Sequence, residues 1–279
     1  KIRGVLNKIL GSSADDRRRL LVAASTGNHG AAFAHAVREL DLDGRLFMPK
    51  TANEGKLRSL RSTGLPLELV GEDCVEAELE AAAYARDHDA VWISPYNDLE
   101  VIQGQGTTAF ELVEQLEGFD DVLVPVGGGG LIAGIAACLD AADPSVRVIG
   151  CQPRNSCVMA RSVEAGRIVD QPSLPTLSDA TAGGIEPGAV TFELCRDLVD
   201  DFVLVDEDEI ASAIRRLHEE EGLVVEGAAA LTVAALLARR DRFAGRRVVL
   251  VLSGGRIDAA TLRRIGCAPE LGADDEEDG

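Results

Sequence analysis

The side chains of this sequence offer four amines, Lys1, Lys8, Lys50 and Lys56. A lysine can trap a carbonyl once burial or a neighbouring cation lowers its pKa. Spacing alone does not choose among the four, and each taken singly reads as a surface lysine. Three glycine- and hydroxyl-rich turns supply more specific signals. Gly127-Gly128-Gly129-Gly130 stands between the apolar runs DVLVPV and LIAGIAACL. Glycines let the backbone curl and present N–H groups with no side chain in the way. The start of the following helix adds positive potential, so the turn suits a phosphate. A merely flexible tight turn is the weaker reading. Ser25-Thr26-Gly27-Asn28-His29-Gly30 places hydroxyls, an amide and backbone N–H groups at another helix start, as a small carboxylate requires. Helix capping would explain one of those hydroxyls but not the whole run. Ser253-Gly254-Gly255 follows RVVLVL. Together the turns point to a phosphorylated organic cofactor with a polar ring atom.

Other chemistries fit less well. No GK[ST] follows the glycines, which argues against a P-loop. Gly128-x-Gly130-x-x-Ala133 loosely satisfies a dinucleotide fingerprint, but that fingerprint expects an acidic residue about 20 positions on. The next strand reads Val148-Ile149-Gly150-Cys151-Gln152, without a carboxylate. An NAD-type oxidoreductase is therefore a lower alternative, and it predicts no lysine adduct. His29 lies in the Ser-Thr-Gly-Asn turn, whereas His35, His88 and His218 read as structural. No pair of them has metal-ligand spacing with a third donor, so no metal site is expected.

The elements that must position these residues alternate. Apolar runs at 20–24, 45–49, 67–70, 90–93, 121–126, 146–150, 202–205 and 247–252 read as strands. Helical periods at 28–40, 53–62, 75–87, 102–116, 130–141, 206–221 and 226–239 lie between or beside them, with a short helix after residue 150. Such alternation predicts an α/β protein with mostly parallel sheets covered on both faces. In such sheets, ligands bind beyond the carboxyl ends of the strands. All three turns fall there. The least regular stretch, 163–191, reads as a functional loop.

The chain has 279 residues, 46% of them hydrophobic, which is enough for one large or two smaller α/β domains. A net charge of −19 argues against a nucleic-acid partner. No apolar run approaches the roughly 20 residues that span a bilayer. Every positive side chain besides the four lysines is an arginine, which suits either a high-salt cytoplasm or a GC-rich genome. Cys74, Cys138, Cys151, Cys157, Cys195 and Cys267 form no CxxC pair and read as free thiols in a reducing, cytoplasmic setting. Asp274 to Asp278 reads as a solvated tail. The first residue is not a methionine and falls inside a working helix, so preceding sequence is expected to be missing.

With these motifs in view, the chain resembles the pyridoxal-phosphate (PLP) enzymes of the serine/threonine dehydratase and serine racemase family, which share the tryptophan synthase β-type fold. Lys1-Ile2-Arg3-Gly4 with Asn7 resembles the tail of the family's SFKxRGAxN motif. On that match Lys1 is the Schiff-base lysine. Ser25 to Gly30 resembles the family's S-S/A-G-N-H turn. Asn28 would then bond the cofactor's ring hydroxyl, and Ser25, Thr26, Gly27 and His29 would line the substrate carboxylate site. Gly127, Gly128, Gly129 and Gly130 with Leu131 resemble the phosphate loop. Ser253 resembles the residue facing the pyridine nitrogen, Glu226 a glutamate near the cofactor, and Asp179 to Ile185 the stretch along its edge.

The resemblance implies two domains, a smaller one at 22–98 and a larger one from 1–21 and 99–279, and a homodimer. It implies α,β-elimination of L-threonine or L-serine to a 2-oxo acid and ammonia, with Lys1 as base and the cofactor phosphate protonating the leaving hydroxide. Racemisation of serine, or dehydration of another hydroxy-amino acid such as a hydroxyectoine-derived one, is the alternative. A cofactor-binding protein without turnover ranks last. Departures from the family pattern are Gln152 and Val158 where it carries metal-binding acids, Thr26 at the racemases' serine, and Arg256 in an SGGR that is usually SGGN. With no regulatory domain expected after Ser253, the chain resembles the catabolic branch.

Overall fold

A computed structural model describes residues 1–52 and 54–267. The acidic run Asp274 to Asp278 lies outside the described residues. Helix α1 (Ile2–Gly11) leads into β1 (Leu21–Ala24), α2 (Asn28–Glu39), β2 (Gly44–Met48), α3 (Glu54–Arg61), β3 (Leu67–Leu69), α4 (Cys74–Asp87) and β4 (Val91–Trp92). Helix α5 (Leu99–Gln115) then connects to β5 (Asp121–Pro125), α6 (Gly130–Ala142), β6 (Arg147–Pro153), α7 (Val158–Ala165), α8 (Val190–Leu198) and β7 (Asp201–Val205). The order closes with α9 (Glu207–Glu221), α10 (Gly227–Ala238), β8 (Val248–Leu250) and α11 (Ala259–Arg264).

The strands form two four-stranded sheets, ordered β3-β2-β1-β4 and β7-β6-β5-β8. Every pairing is parallel. Period-two alternation explains why helices cover both faces. In β1, Leu21 and Ala23 join Phe33, Leu46 and Leu60 in one core, while Val22 and Ala24 join Ala81 and Ala85 of α4 in another. In β5, Val122 and Val124 pack with Ile132 and Ile135 of α6, whereas Leu123 packs with Ile214 of α9 and Leu231 of α10. These are two doubly wound α/β units, as the alternation predicts. All eight expected strands are present, and each overlaps the expected position.

Differences from the sequence reading have local causes. Strand β6 runs on to Pro153, pairing Gln152 with Leu204, so Gln152 is a buried strand residue and not part of a following loop. Strand β8 ends at Leu250, which leaves Ser253 three residues beyond its end. Helices α8 and α11 have 9 and 6 residues, too short for a clear helical period. The stretch after α7 is irregular apart from a 3₁₀ turn at Asp179–Thr181. It is fixed by side chains: Ser178 and Thr181 hydroxyls lie 2.6 Å apart, and Leu177 N donates to Glu207 Oε2 at 2.7 Å. The acidic start of α9 forms a capping box between Asp206 and Glu209.

Two glycine contacts set the helix spacing. A Cβ on Gly104 would lie 2.5 Å from Arg3 O and 2.7 Å from Gly4 Cα, so α5 and α1 touch through backbone. A Cβ on Gly134 would lie 2.3 Å from Ile102 O and 2.7 Å from Gly106 N, so α6 and α5 do the same. Residues two apart on a helix face opposite ways, so Gly104 and Gly106 serve different neighbours. Gly104→Ala is expected to cost about 1–3 kcal/mol of overpacking, less up to about 1 kcal/mol of helix propensity. Calorimetry should show a melting temperature several degrees lower. Gly11→Ala, whose Cβ meets nothing nearer than 3.8 Å, should leave it unchanged or raise it.

Candidate active site

The turns after β1, β5 and β8 open at the carboxyl ends of their strands onto one cavity of about 1280 Å³. Lys1, residues 25–29, residues 127–131, Glu226 and Ser253 all line it. The fold thus brings together Lys1, the turn at 25–29, the glycine loop with Leu131, Glu226 and Ser253. Lys8 goes elsewhere: it pairs with Asp98 at 3.0 Å and with Glu100. Among the described residues, no group of His, Cys, Asp and Glu could hold a metal ion. Gln152 instead ties strands to a helix, donating to Val126 O at 3.1 Å and accepting Ala160 N at 2.8 Å.

Lys1 precedes α1, and its position follows from how α1 rests on α5. The residue as a whole is exposed, but its amine is enclosed and donates to Pro95 O at 2.9 Å. Burial holds the amine's pKa below the ordinary lysine value, and the negative potential of Glu78 and Glu226 opposes that shift. An amine so placed is neutral more of the time, as a nucleophile or base must be.

The start of α2 carries no side-chain cap. Gly27 N donates to Ser25 Oγ at 3.0 Å, which folds the turn back on itself. Asn28 Nδ2 donates to Glu226 Oε1 at 2.6 Å, and Arg256 N donates to Glu226 Oε2 at 3.2 Å. Glu226 is buried, and burial raises its pKa. His29 is buried, and its Nε2–H donates to Ile93 O at 3.0 Å. Burial and the nearby Lys1 push its pKa down to about 3, so the ring is neutral. Its Nδ1 is buried without a partner.

The glycine loop also opens on an uncapped helix start, that of α6. Gly129 sits at φ +90°, which favours glycine, and a Cβ there would lie 2.7 Å from Met159 Cε. A Cβ on Gly128 would meet the Tyr96 ring at 2.5 Å. The loop is therefore pinned from outside while its N–H groups remain without the side-chain cap that usually covers such a start.

Tyr96, Glu78 and Ser59 are lining residues missed in the sequence. Tyr96 packs on the glycine loop, and its hydroxyl accepts Glu186 N–H at 3.1 Å. Glu78 of α4 reaches the same cavity. Lys56 of α3 pairs with Asp179 at 2.6 Å, and Arg256 Nη2 donates to Ser59 Oγ at 2.7 Å. Only the strand–turn position of Tyr96, just beyond β4, could have flagged it. On this geometry, the Lys1 amine should titrate below the 10.5 of an ordinary lysine. Glu226→Gln should lower it further. Amine acylation against pH, read by peptide mass mapping, checks both.

Comparison with known proteins places this site. A family model described as pyridoxal-phosphate dependent enzyme matches residues 1–254. The L-threonine ammonia-lyase of Thermotoga maritima is 41% identical over 265 residues, covering 95% of this chain and 66% of that protein. The chain thus spans just under two thirds of that relative's length. The catabolic L-threonine dehydratase of Escherichia coli K12 is 38% identical over 267 residues, covering 95% of this chain and 81% of that protein. The structure of maize serine racemase superposes with a TM-score of 0.87 at 31% identity, covering 95% of this chain and 81% of that one. The chain belongs to the pyridoxal-phosphate dependent enzyme family.

Proposed function

We propose that this chain is a serine/threonine ammonia-lyase, which converts L-threonine, L-serine or both into a 2-oxo acid and ammonia by α,β-elimination. One observation carries the reading: a single cavity gathers an enclosed amine, a side-chain-free helix start and a hydroxyl-rich helix start. Relatives named for threonine deamination point the same way.

The residues fit PLP. Gly127 to Gly130 and Leu131 would hold its phosphate, Asn28 its ring hydroxyl and Ser253 its pyridine nitrogen. Glu226 fixes Asn28 for that task. Lys1 would carry its aldehyde. When bound, PLP supplies an electron sink for the pair left at the substrate's Cα. Ser25, Thr26 and the Gly27 backbone hold the substrate carboxylate at the start of α2, with neutral His29 behind them. Lys1 takes the Cα proton, a role suited to an amine kept neutral by burial. The released enamine then tautomerises and hydrolyses.

The domain reading that goes with this has residues 22–98 closing over substrate against 1–21 and 99–279. A homodimer in the cytoplasm is part of the same proposal. Among the described residues, no helix is long and apolar enough to cross a membrane. Racemisation is the second reading: Thr26 brings a hydroxyl into the same cavity where racemases carry serine, and its bulkier, branched side chain weighs against that reading.

The test follows 2-oxo acid release, and enantiomer interconversion, from L-Thr, L-Ser, D-Ser and L-threo-3-hydroxyaspartate in PLP-loaded protein. Release from L-Thr or L-Ser is expected, and Lys1→Ala should abolish it. Conversion of L-Ser to D-Ser without 2-oxo acid would replace the lyase reading with the racemase one. Gly128→Ala, which forces the loop off Tyr96, should weaken PLP binding at least tenfold by fluorescence titration.

A further inference from the structure

Most carboxyl groups lining the cavity already have partners that explain them. Asp179 pairs with Lys56, Glu226 accepts from Asn28 and Arg256 N, and Asp258 caps α11 through Thr261 N. Glu78 is different. It projects from α4 into the cavity, which Tyr96 also lines. The Tyr96 hydroxyl accepts Glu186 N–H, and the Tyr96 ring lies against Gly128. Pro95, the residue before Tyr96, accepts the Lys1 amine. Glu78 thus lines the same cavity as the base and the glycine loop, within electrostatic reach of the Lys1 amine.

We infer that Glu78 is the acid that protonates the β-hydroxyl of the substrate as the Cβ–O bond breaks. The inference rests on the elimination reading and gives the departing hydroxide a proton donor in the protein, where the resemblance assigns that proton to the cofactor phosphate. The step balances. Lys1 gains the Cα proton, and the Cα–H pair flows into the new Cα–Cβ bond. The Cβ–O pair leaves with oxygen, which takes the Glu78 proton and departs as water. Proton transfer from the Lys1 ammonium to the Glu78 carboxylate resets both groups.

The surroundings of Glu78 keep it protonated near neutral pH. Burial is the largest cause and Glu186 the next, and they raise its pKa to about 8 against the opposing pull of Lys1. The groups that face it are Lys1 before α1, Tyr96 after β4, Glu186 before α8, and Asp73 and Cys74 at the head of its own helix. A free glutamate, ionised above about 4.3, could not serve as donor at pH 7.

The experiment compares L-serine with β-chloro-L-alanine, whose chloride leaves without a proton, in PLP-loaded wild type and Glu78→Gln. Glu78→Gln should lose about 10²–10⁴-fold in kcat on L-serine and stay within a few fold on β-chloro-L-alanine. Wild-type turnover of L-serine should fall as pH rises through about 8, and chloride elimination should not share that limb. Melting temperatures give a readout independent of turnover. A carboxyl whose folded pKa is raised makes wild type lose stability, relative to Glu78→Gln, as pH rises from about 4.5 to about 8. Equal losses on both substrates, full retention of L-serine turnover, or no relative change in melting temperature would each overturn the inference and leave the elimination reading standing. Wild type inert toward both amino acids would overturn the elimination reading and this inference with it.

Discussion

Helix α1 lies against α5 with Gly4 facing Gly104, and Lys1 is the residue that precedes α1. On the far side of α5, Gly106 meets Gly134 of α6, and α6 begins at the glycine loop. The amine and the anion-binding turn therefore stand at the heads of two helices that touch a third through backbone. Such contacts leave no side chain to rotate and little room to slide, because interiors are packed near crystal density. Preorganisation of this kind matters for a cavity whose chemistry needs a base and a phosphate site at a fixed separation. The remainder of the site hangs from the two parallel sheets, with the turns after β1, β5 and β8 opening on the cavity.

Burial governs the electrostatics of that cavity. Lys1 and His29 lose affinity for protons, while Glu78 and Glu226 gain it, and desolvation is the largest cause in all four. Each group moves toward its neutral form, as a low-dielectric site demands. The chain's charge of −19 is dealt with outside. Exposed Arg–carboxylate pairs such as Arg154–Asp206 at 2.7 Å and Arg216–Glu220 at 2.8 Å ride on the surface, where each contributes little. A buried exception is Asp121, fully enclosed at the start of β5, which Arg147 meets at 2.7 Å and Arg246 also contacts. It ties the starts of β5, β6 and β8 at the sheet edge farthest from the cavity, so charge chemistry there serves the fold.

The family relationship and the geometry inform different questions. Kinship fixes the cofactor and the fold, and it comes from the whole chain. The arrangement of Glu78, Tyr96 and Glu186 belongs to this chain's own residues. It joins α4, which covers the first sheet, to a segment that covers the second. Lys56–Asp179 and Arg256–Ser59 make the same crossing. Contacts of this sort are local and polar, and their strength responds to how closely the two sheets approach.

By itself the sequence determined the eight strands, most of the helices and the three turns, since each is written in contiguous residues. Buried parallel strands need unbroken β-branched or aliphatic runs, and phosphate turns need glycines, so local pattern and structure coincide. The extension of β6 to Pro153 beyond the apolar run was hidden, because Gln152 is polar: it pairs with Leu204 in the sheet, and its buried amide is satisfied by Val126 and Ala160. Spacing left Lys1 and Lys8 alike and only the resemblance singled out Lys1, although both lie on or beside one helix; tertiary structure makes them physically different, one amine donating to Pro95 O, the other ion-paired with Asp98. The same holds in α4, where Glu76, Glu78 and Glu80 look alike in sequence. Glu76 closes a bond to Glu72 N, Glu80 faces solvent, and Glu78 alone of the three meets the cavity. A residue's chemistry here depends on what long-range packing removes from water, and no local pattern encodes that.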